Sequence, residues 1–308
     1  MTTAAILGAH GQIARGLVEH LPHEWDLRLF SRRPDAGYPE AATRDAPLRP
    51  YDAFASAGVD LVINAAGPGD PGTHRTIGAE IFRVTETFDN LALDYLAAHP
   101  DTAYFNLSTG ALCDADGDRR GSRLTLDLDD LARANPYVLA KLNAEAKHRN
   151  LPDFRIADLR VFGYFSRHID LRAQFFAAQA VAHLFAGHEF HTHPADFVRD
   201  YVSPDDLAGL IATLYESGTP IRAVNALSAQ PVTKFGILDA LHDRYGLRFS
   251  VDGGEPDRLE EAQGVSAGDG AGIGFCPKLT SAQIVLRETE ALYHARERAP
   301  EVTIDGND

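Results

Sequence analysis

Ala4-Ala5-Ile6-Leu7-Gly8-Ala9-His10-Gly11-Gln12-Ile13-Ala14, continued by Arg15-Gly16-Leu17-Val18-Glu19-His20-Leu21, is the stretch that decides the fold. An apolar run breaks at a glycine. Apolar residues then recur at helical spacing through Ile13, Leu17, Val18 and Leu21. That order is a strand, a Gly-rich turn and a helix. Gly8 permits the tight turn, Gly11 lets backbone approach a pyrophosphate, and Ala14 allows the helix to pack closely on the strand. The helix N-terminus then faces the phosphates. The spacing is Gly-x-x-Gly-x-x-Ala rather than the tighter dinucleotide fingerprint, so a small-residue turn with no ligand is the competing reading. Read as a cofactor turn, it offers Gly8, His10, Gly11, Gln12 and Ile13 to a dinucleotide.

Leu27-Arg28-Leu29-Phe30 reads as the second strand and runs into Ser31-Arg32-Arg33. An acidic residue here would accept hydrogen bonds from the ribose hydroxyls. A hydroxyl and two guanidiniums instead suit a 2′-phosphate, which makes NADP(H) the preferred cofactor and NAD(H) the alternative. A solvated basic loop is the plain rival. A weak third strand is expected around Ala41 to Asp45. Val59 to Gly67 is the strongest strand signal, because a continuous apolar run fits a parallel strand covered on both faces. Its small-residue end, Asn64-Ala65-Ala66-Gly67, leaves room for cofactor.

Thr76 to Ala98 carries a helical pattern through Phe82, Phe88, Leu91, Tyr95 and Leu96. Ala103 to Leu107 is the next strand, and it delivers Ser108-Thr109-Gly110 at its C-terminal end, where open α/β sheets bind ligands. Asp114 to Asp130 is polar and acidic, a loop by composition. A helix follows from Asn135 to Arg149 with Pro136 in its first turn, then a strand from Arg155 to Phe162. Strands alternating with helices predict a doubly wound parallel sheet of the Rossmann type. Beyond Gly163 the pattern predicts a helix over Leu171 to Phe185, a strand entering Phe197 to Leu207 with Asp205 as N-cap, and a helix through Leu207, Leu210, Ile211 and Leu214. A short strand over Ala223 to Leu227, a loop over Gly253 to Gly274 and a terminal amphipathic helix over Ser281 to Arg296 complete the reading.

Tyr137 and Lys141 stand four apart and so share one face of their helix. An ammonium beside a phenol favours the phenolate, which makes Tyr137 a candidate proton donor or acceptor. The same ammonium can bind a ribose hydroxyl.

Across 308 residues the formal charge is −15, which argues against non-specific nucleic-acid binding. Any polyanionic ligand must therefore meet local arginines or helix N-termini. No apolar run reaches a membrane span, no export signal is visible at the N-terminus, and a cytoplasmic location is the default. Cys113 and Cys276 form neither a disulfide framework nor a metal spacing. Cys113 has no basic neighbour in sequence to activate it. His188, His191 and His193 have no carboxylate or cysteine completing an evident site, so no metal is expected.

Taken in order, these pieces resemble an extended short-chain dehydrogenase/reductase of the NAD-dependent epimerase/dehydratase type. The matching residues are the Gly8–Ala14 turn, Asn64-Ala65-Ala66-Gly67, Ser108, Tyr137-x-x-x-Lys141 and Leu159-Arg160-Val161-Phe162. Two later segments also match, Arg199-Asp200-Tyr201-Val202-Ser203-Pro204-Asp205-Asp206-Leu207 and Gly274-Phe275-Cys276-Pro277-Lys278. The resemblance implies a Rossmann domain over residues 1–165, to which 196–227 return, and a substrate-binding region over 166–195 and 228–308. It implies a nucleotide-diphosphate sugar as substrate and a homodimer. It gives Ser108 the role of holding the reacting oxygen, with Thr109 as the neighbouring rival, Tyr137 that of acid/base, and Lys141 that of its ribose-binding partner. Thr109 and Arg199 fall on the substrate side, Arg199 where the family often binds pyrophosphate.

Two departures bear on the sugar pocket. Leu112 and Cys113 replace the usual Tyr-Gly, and Gly163 to Arg167 depart from the usual Asn-containing segment. The expected reaction is NADPH-dependent reduction of a 4-keto group on a nucleotide-linked hexose. The alternatives are a 4-epimerase that retains NAD(P) and a non-catalytic NADP-binding sensor.

Overall fold

Alternation along each strand divides the apolar residues between the two faces of one sheet. In β1 (Thr3–Leu7), Ala4 and Ile6 join one buried cluster while Ala5 and Leu7 join another across the sheet. The same parity separates Leu61 and Ile63 from Val62 in β4 (Leu61–Asn64). It also separates Ala103, Phe105 and Leu107 from Tyr104 in β5 (Ala103–Thr109). A sheet that is apolar on both faces must be covered on both, which is the doubly wound solution. The protein is described here from a computed structural model covering residues 1–36, 44, 46–114, 135–218, 222–253, 258 and 272–298.

The remaining strands of this sheet are β2 (Asp26–Phe30), β3 (Leu48–Arg49), β6 (Ile156–Val161) and β9 (Ala223–Ala226). All seven run parallel in the order β3-β2-β1-β4-β5-β6-β9. The order reverses at β1 and β4, so the crevice for a ligand opens beyond their C-terminal ends. Helix α1 (Gln12–His20) covers one face together with a later helix, Pro204–Ser217, through Leu17, Val18, Leu207, Leu210 and Ile211. The other face carries α3 (Glu80–Ala98) and, beyond the single turn α4 (Ala111–Asp114), α5 (Pro136–Arg149) beside it.

A third cluster of buried residues lies outside the sheet. It contains Phe165, Val181, Phe190, Phe235, Leu238, Leu241, Ile284 and Val285. It is built from α6 (Phe176–Ala186), α8 (Lys234–Tyr245) and α9 (Ser281–Arg298), with α7 being the sheet-covering helix Pro204–Ser217. Two small ladders edge it. One pairs β7 (Phe190–Thr192) with β11 (Phe249–Val251), and the other pairs β8 (Val198–Arg199) with β10 (Val232–Thr233).

Several sequence expectations need correction. The helical stretch from Thr76 is two helices, because Gly78 adopts a φ of +51° between α2 (Pro71–Ile77) and α3. Helix α6 begins at Phe176 rather than Leu171, and β8 is only two residues long. The N-cap of α7 is Ser203, whose hydroxyl accepts the Asp206 N–H, not Asp205, which lies inside the first turn. The third strand is Leu48–Arg49. The stretch expected there, Ala41 to Asp45, lies outside the described residues except for Arg44, and so does Asp114 to Asp130 beyond Asp114 itself.

Candidate active site

The turn after β1 is a cradle that admits no side chain at its apex. Gly8 has a φ of +79°, and a Cβ there would lie 2.7 Å from the Ala66 Cα. Its N–H donates to the Tyr51 hydroxyl at 3.0 Å. Gly11 is the N-cap of α1 and provides no side-chain cap, so that helix end is left for an external acceptor. Ile13 packs on the core beside it, and the Gln12 Oε1 is buried without a hydrogen-bond partner.

His10 and Ser31 tie this turn to the end of β2, Nδ1 to Oγ at 2.6 Å. The Ser31 hydroxyl also accepts the Arg33 N–H at 3.1 Å, so it shapes the loop, while Arg32 and Arg33 stay exposed beside it. Asn64 turns inward. Its Oδ1 accepts the Ala66 N–H at 3.1 Å and its amide donates to the Tyr104 hydroxyl at 3.0 Å. It therefore shapes the Ala65-Ala66-Gly67 turn instead of presenting an amide to the crevice. A bare helix N-terminus, a side-chain-free apex and two exposed guanidiniums after β2 fit the pyrophosphate and 2′-phosphate of a dinucleotide.

Strand parity decides which hydroxyl meets Tyr137. Tyr104, Asn106 and Ser108 point to the face covered by α3 and α5, and each is consumed there. Ser108 donates to the Glu145 Oε1 at 2.6 Å and is buried. Arg160 grips the same carboxylate through Nε at 2.9 Å and Nη2 at 2.6 Å. Burial alone would raise the Glu145 pKa, but Arg160, Ser108 and Arg149 outweigh it and hold the carboxyl low. Ser108 is thus drawn away from the acid/base, contrary to its expected role. Thr109, one residue further along, is the hydroxyl that hydrogen-bonds Tyr137.

Asn135 caps α5 by accepting the Tyr137 N–H at 3.0 Å, and Pro136 occupies the first helical position. Lys141 lies one turn on, with its Nζ 6.0 Å from the Tyr137 ring centre, and donates to the Leu107 carbonyl at 2.7 Å. Burial drops its pKa to about 8, against the pull of Asp158, Asp89 and Glu145. Burial also raises Tyr137, with Thr109 opposing. The phenol is therefore raised where the sequence reading expects Lys141 to lower it, because desolvation dominates.

Sequence reasoning missed His74. It stands in α2, and its imidazole stacks on Tyr137 with ring centres 4.2 Å apart and planes 16° from parallel. The signal was present: Asp70 followed by Pro71 is an N-cap and first-turn pair, and Asp70 accepts the Thr73 N–H at 2.8 Å.

Beneath the site lies a buried polar chain. Tyr104 donates to the Asp89 Oδ1 at 2.9 Å, and His148 bridges Asp89 and Asp158 at 2.8 Å each. Asn106 donates to Asp158 at 2.8 Å, and Lys147 pairs with Asp89 at 2.6 Å. Burial would lower the His148 pKa, but its two carboxylates prevail and push it up to about 9.

Elsewhere, Arg199 is exposed and lies over the Phe197 ring at 4.2 Å. It stands on β8, outside the sheet whose β5 carries Thr109. Cys113 is buried, and its nearest cation is Arg160, with Nη1 3.7 Å from Sγ. No group of three or more histidines, cysteines and carboxylates among the described residues is arranged to hold a metal. No described helix is long and apolar enough to cross a membrane.

A Rossmann-type sheet with a side-chain-free apex to its first turn, and a Tyr-x-x-x-Lys pair on α5 beside the C-terminal end of β5, is the arrangement of an extended short-chain dehydrogenase/reductase. The model of the NAD-dependent epimerase/dehydratase family matches residues 4–226, and the chain belongs to that family. No curated protein matches it. Among solved structures, UDP-glucose 4-epimerase from Thermotoga maritima superposes with a TM-score of 0.75 at 15% identity, covering 96% of this chain and 99% of that one. UDP-N-acetylglucosamine 4-epimerase from Methanobrevibacter ruminantium gives a TM-score of 0.76 at 12% identity over 96% and 99%. RMD from Pseudomonas aeruginosa, solved with NADPH, gives 0.68 at 19% over 96% and 100%. These likenesses are of fold.

Proposed function

We propose that the protein reduces a 4-keto group on a nucleotide-diphosphate-linked hexose with NADPH. The observation that carries the reading is the contact of Tyr137 with Thr109 beside a buried Lys141, below a phosphate cradle followed by two exposed arginines. When bound, NADPH supplies the hydride for the sugar carbon. Tyr137 gives its phenolic proton to the oxygen that becomes the hydroxyl, and Thr109 orients that phenol. Lys141, anchored on the Leu107 carbonyl, presents an ammonium to the cofactor ribose. Arg32 and Arg33 meet the 2′-phosphate, and Arg199 offers a guanidinium to the substrate pyrophosphate.

Other reactions of the family fit less well. A 4,6-dehydratase carries an Asp-Glu pair straight after its threonine, and a 3,5-epimerising reductase carries a cysteine after its serine. Here Thr109 and Gly110 follow Ser108, and Gly110 and Ala111 follow Thr109; none of them is a carboxylic acid or a cysteine. A second reading, 4-epimerisation on a retained cofactor, draws support from the two epimerases of like fold. Stoichiometry separates the two. One NADPH oxidised per ketosugar reduced supports the reductase. Conversion of a non-keto nucleotide sugar to its 4-epimer with no net NADPH consumption refutes it. A homodimer belongs to the same proposal and is checked by light scattering.

A further inference from the structure

Tyr137 is the residue on which the proposed chemistry turns, yet its own helix fixes it poorly. Tyr137 lies in the first turn of α5, and a phenol can swing about its side-chain bonds. Thr109 holds its polar end, and Lys141 lies 6.0 Å from the ring centre. The remaining face is covered by His74, 4.2 Å away and nearly parallel.

His74 is itself held on several sides. Its Nε2 lies 2.8 Å from the Pro68 carbonyl, which can only accept, so this nitrogen carries the proton and the ring orientation is fixed. Helix α2 is capped by one oxygen of Asp70, and the other oxygen accepts the Gln174 N–H at 2.8 Å. Arg75 donates to the Gln174 side chain, a second tie to the same residue. Gly78, with its positive φ, lets α2 end and turn away from the axis of α3. A seven-residue helix is thus braced at its start, on its flank and at its end. One product of that bracing is an imidazole laid flat on the phenol.

We propose that His74 is a positioning residue: by stacking on Tyr137 it fixes the phenol against Thr109 and so sets the orientation from which the proton is delivered. The action belongs to the flat ring, and the Nε2 contact with Pro68 only steers that ring. This predicts a particular pattern of rescue. His74→Phe keeps a ring on Tyr137, whereas His74→Gln keeps a polar group near Pro68 but no ring.

The kinetic arm rests on the proposed ketoreductase reading. His74→Ala and His74→Gln should lower kcat by about 3- to 10-fold, the range an aromatic pair can contribute, with KM for NADPH unchanged. His74→Phe should recover most of that loss. A loss as large in Phe as in Gln overturns the proposal.

The second arm needs no substrate. The protein is labelled with 3-fluorotyrosine, and the Tyr137 ¹⁹F resonance is assigned by its disappearance in Tyr137→Phe. His74→Ala should move this resonance towards that of free 3-fluorotyrosine, and His74→Phe should leave it displaced. A resonance that ignores His74→Ala refutes the positioning role, whether or not any ketosugar is turned over. A resonance that responds as expected in a protein inert to every ketosugar leaves positioning intact and removes the proposed reaction.

Discussion

Replacing Ser108 by alanine and Thr109 by valine, each alone, separates two adjacent hydroxyls, of which the family resemblance favours Ser108 while the structure brings Thr109 to Tyr137. Ser108 donates to a buried carboxylate at 2.6 Å, and a hydrogen bond to a charged partner contributes about 1.5–3 kcal/mol. Glu145 keeps its paired contacts with Arg160 and its contact with Arg149 in the variant, so its charge stays compensated. The loss should lie between that of an ordinary hydrogen bond and the lower part of that range, about 1–2 kcal/mol. At about 2–4 °C per kcal/mol for larger chains, the melting temperature should fall by roughly 2–8 °C. Turnover should stay within about threefold of the unmodified enzyme, because no atom touching Tyr137 is removed. Thr109→Val keeps the shape and removes the hydroxyl that meets the phenol. Loss of the hydroxyl that orients the acid should lower kcat by at most the roughly 10²–10⁴ that the acid itself contributes, with a small fall in melting temperature from the lost Ala111 N–H contact. Calorimetry and steady-state NADPH oxidation on the two variants give the four numbers. If Ser108→Ala abolishes turnover at an unchanged melting temperature while Thr109→Val remains active, the strand-parity argument is wrong.

Arg32→Ala should weaken NADPH binding by at least tenfold and leave NADH nearly unchanged, since a charge-assisted bond to the 2′-phosphate has no counterpart in NADH; fluorescence titration of both cofactors tests this. Tyr137→Phe should lower turnover by about 10²–10⁴ while NADPH still binds, measured by single-turnover kinetics alongside the same titration. Stability should depend on pH through His148, whose folded pKa of about 9 lies above its unfolded value. Its contribution is fully present below the unfolded value, about 6.5, and is lost as the pH rises through 9. Melting temperatures should therefore fall between pH 6.5 and pH 8, and His148→Gln should flatten that decline; above pH 8 Lys141, whose folded pKa of about 8 lies below its unfolded value, acts in the opposite sense.

Much of the fold is legible from local chemistry. Continuous apolar runs at Ile6, Val62 and Phe105 announce strands buried on both faces, and the glycine break after Leu7 announces the cradle. Of the candidate site, Tyr137, Lys141 and the arginines after β2 stand out in the sequence because their spacing or position is itself the signal. The resemblance favours Ser108 over Thr109, and the engagement of Ser108 with Glu145 was not legible, because a strand's facing is fixed by what covers it and Glu145 lies 37 residues away. Lys141, Glu145 and His148 would ordinarily mark the wet face of a helix. Here they face the sheet, because Leu107, Arg160 and Asp158 supply partners that only the tertiary structure reveals. His74 escaped notice for the same reason: its ring partner lies 63 positions downstream, on a different helix.

The buried chain from Asn64 through Tyr104, Asp89 and His148 to Asp158 and Asn106 also constrains how this sequence can change over generations. Losing any one member strands a charge or a polar group in a place water does not reach, a cost of several kcal/mol when an ion pair is broken. Exchanging the whole set for apolar residues of similar volume can be nearly neutral. Single steps away from the present residues are therefore uphill even where the destination is not. The six positions should be inherited as a block, and among relatives they should co-vary, with aspartate at 89 or 158 accompanied by histidine at 148.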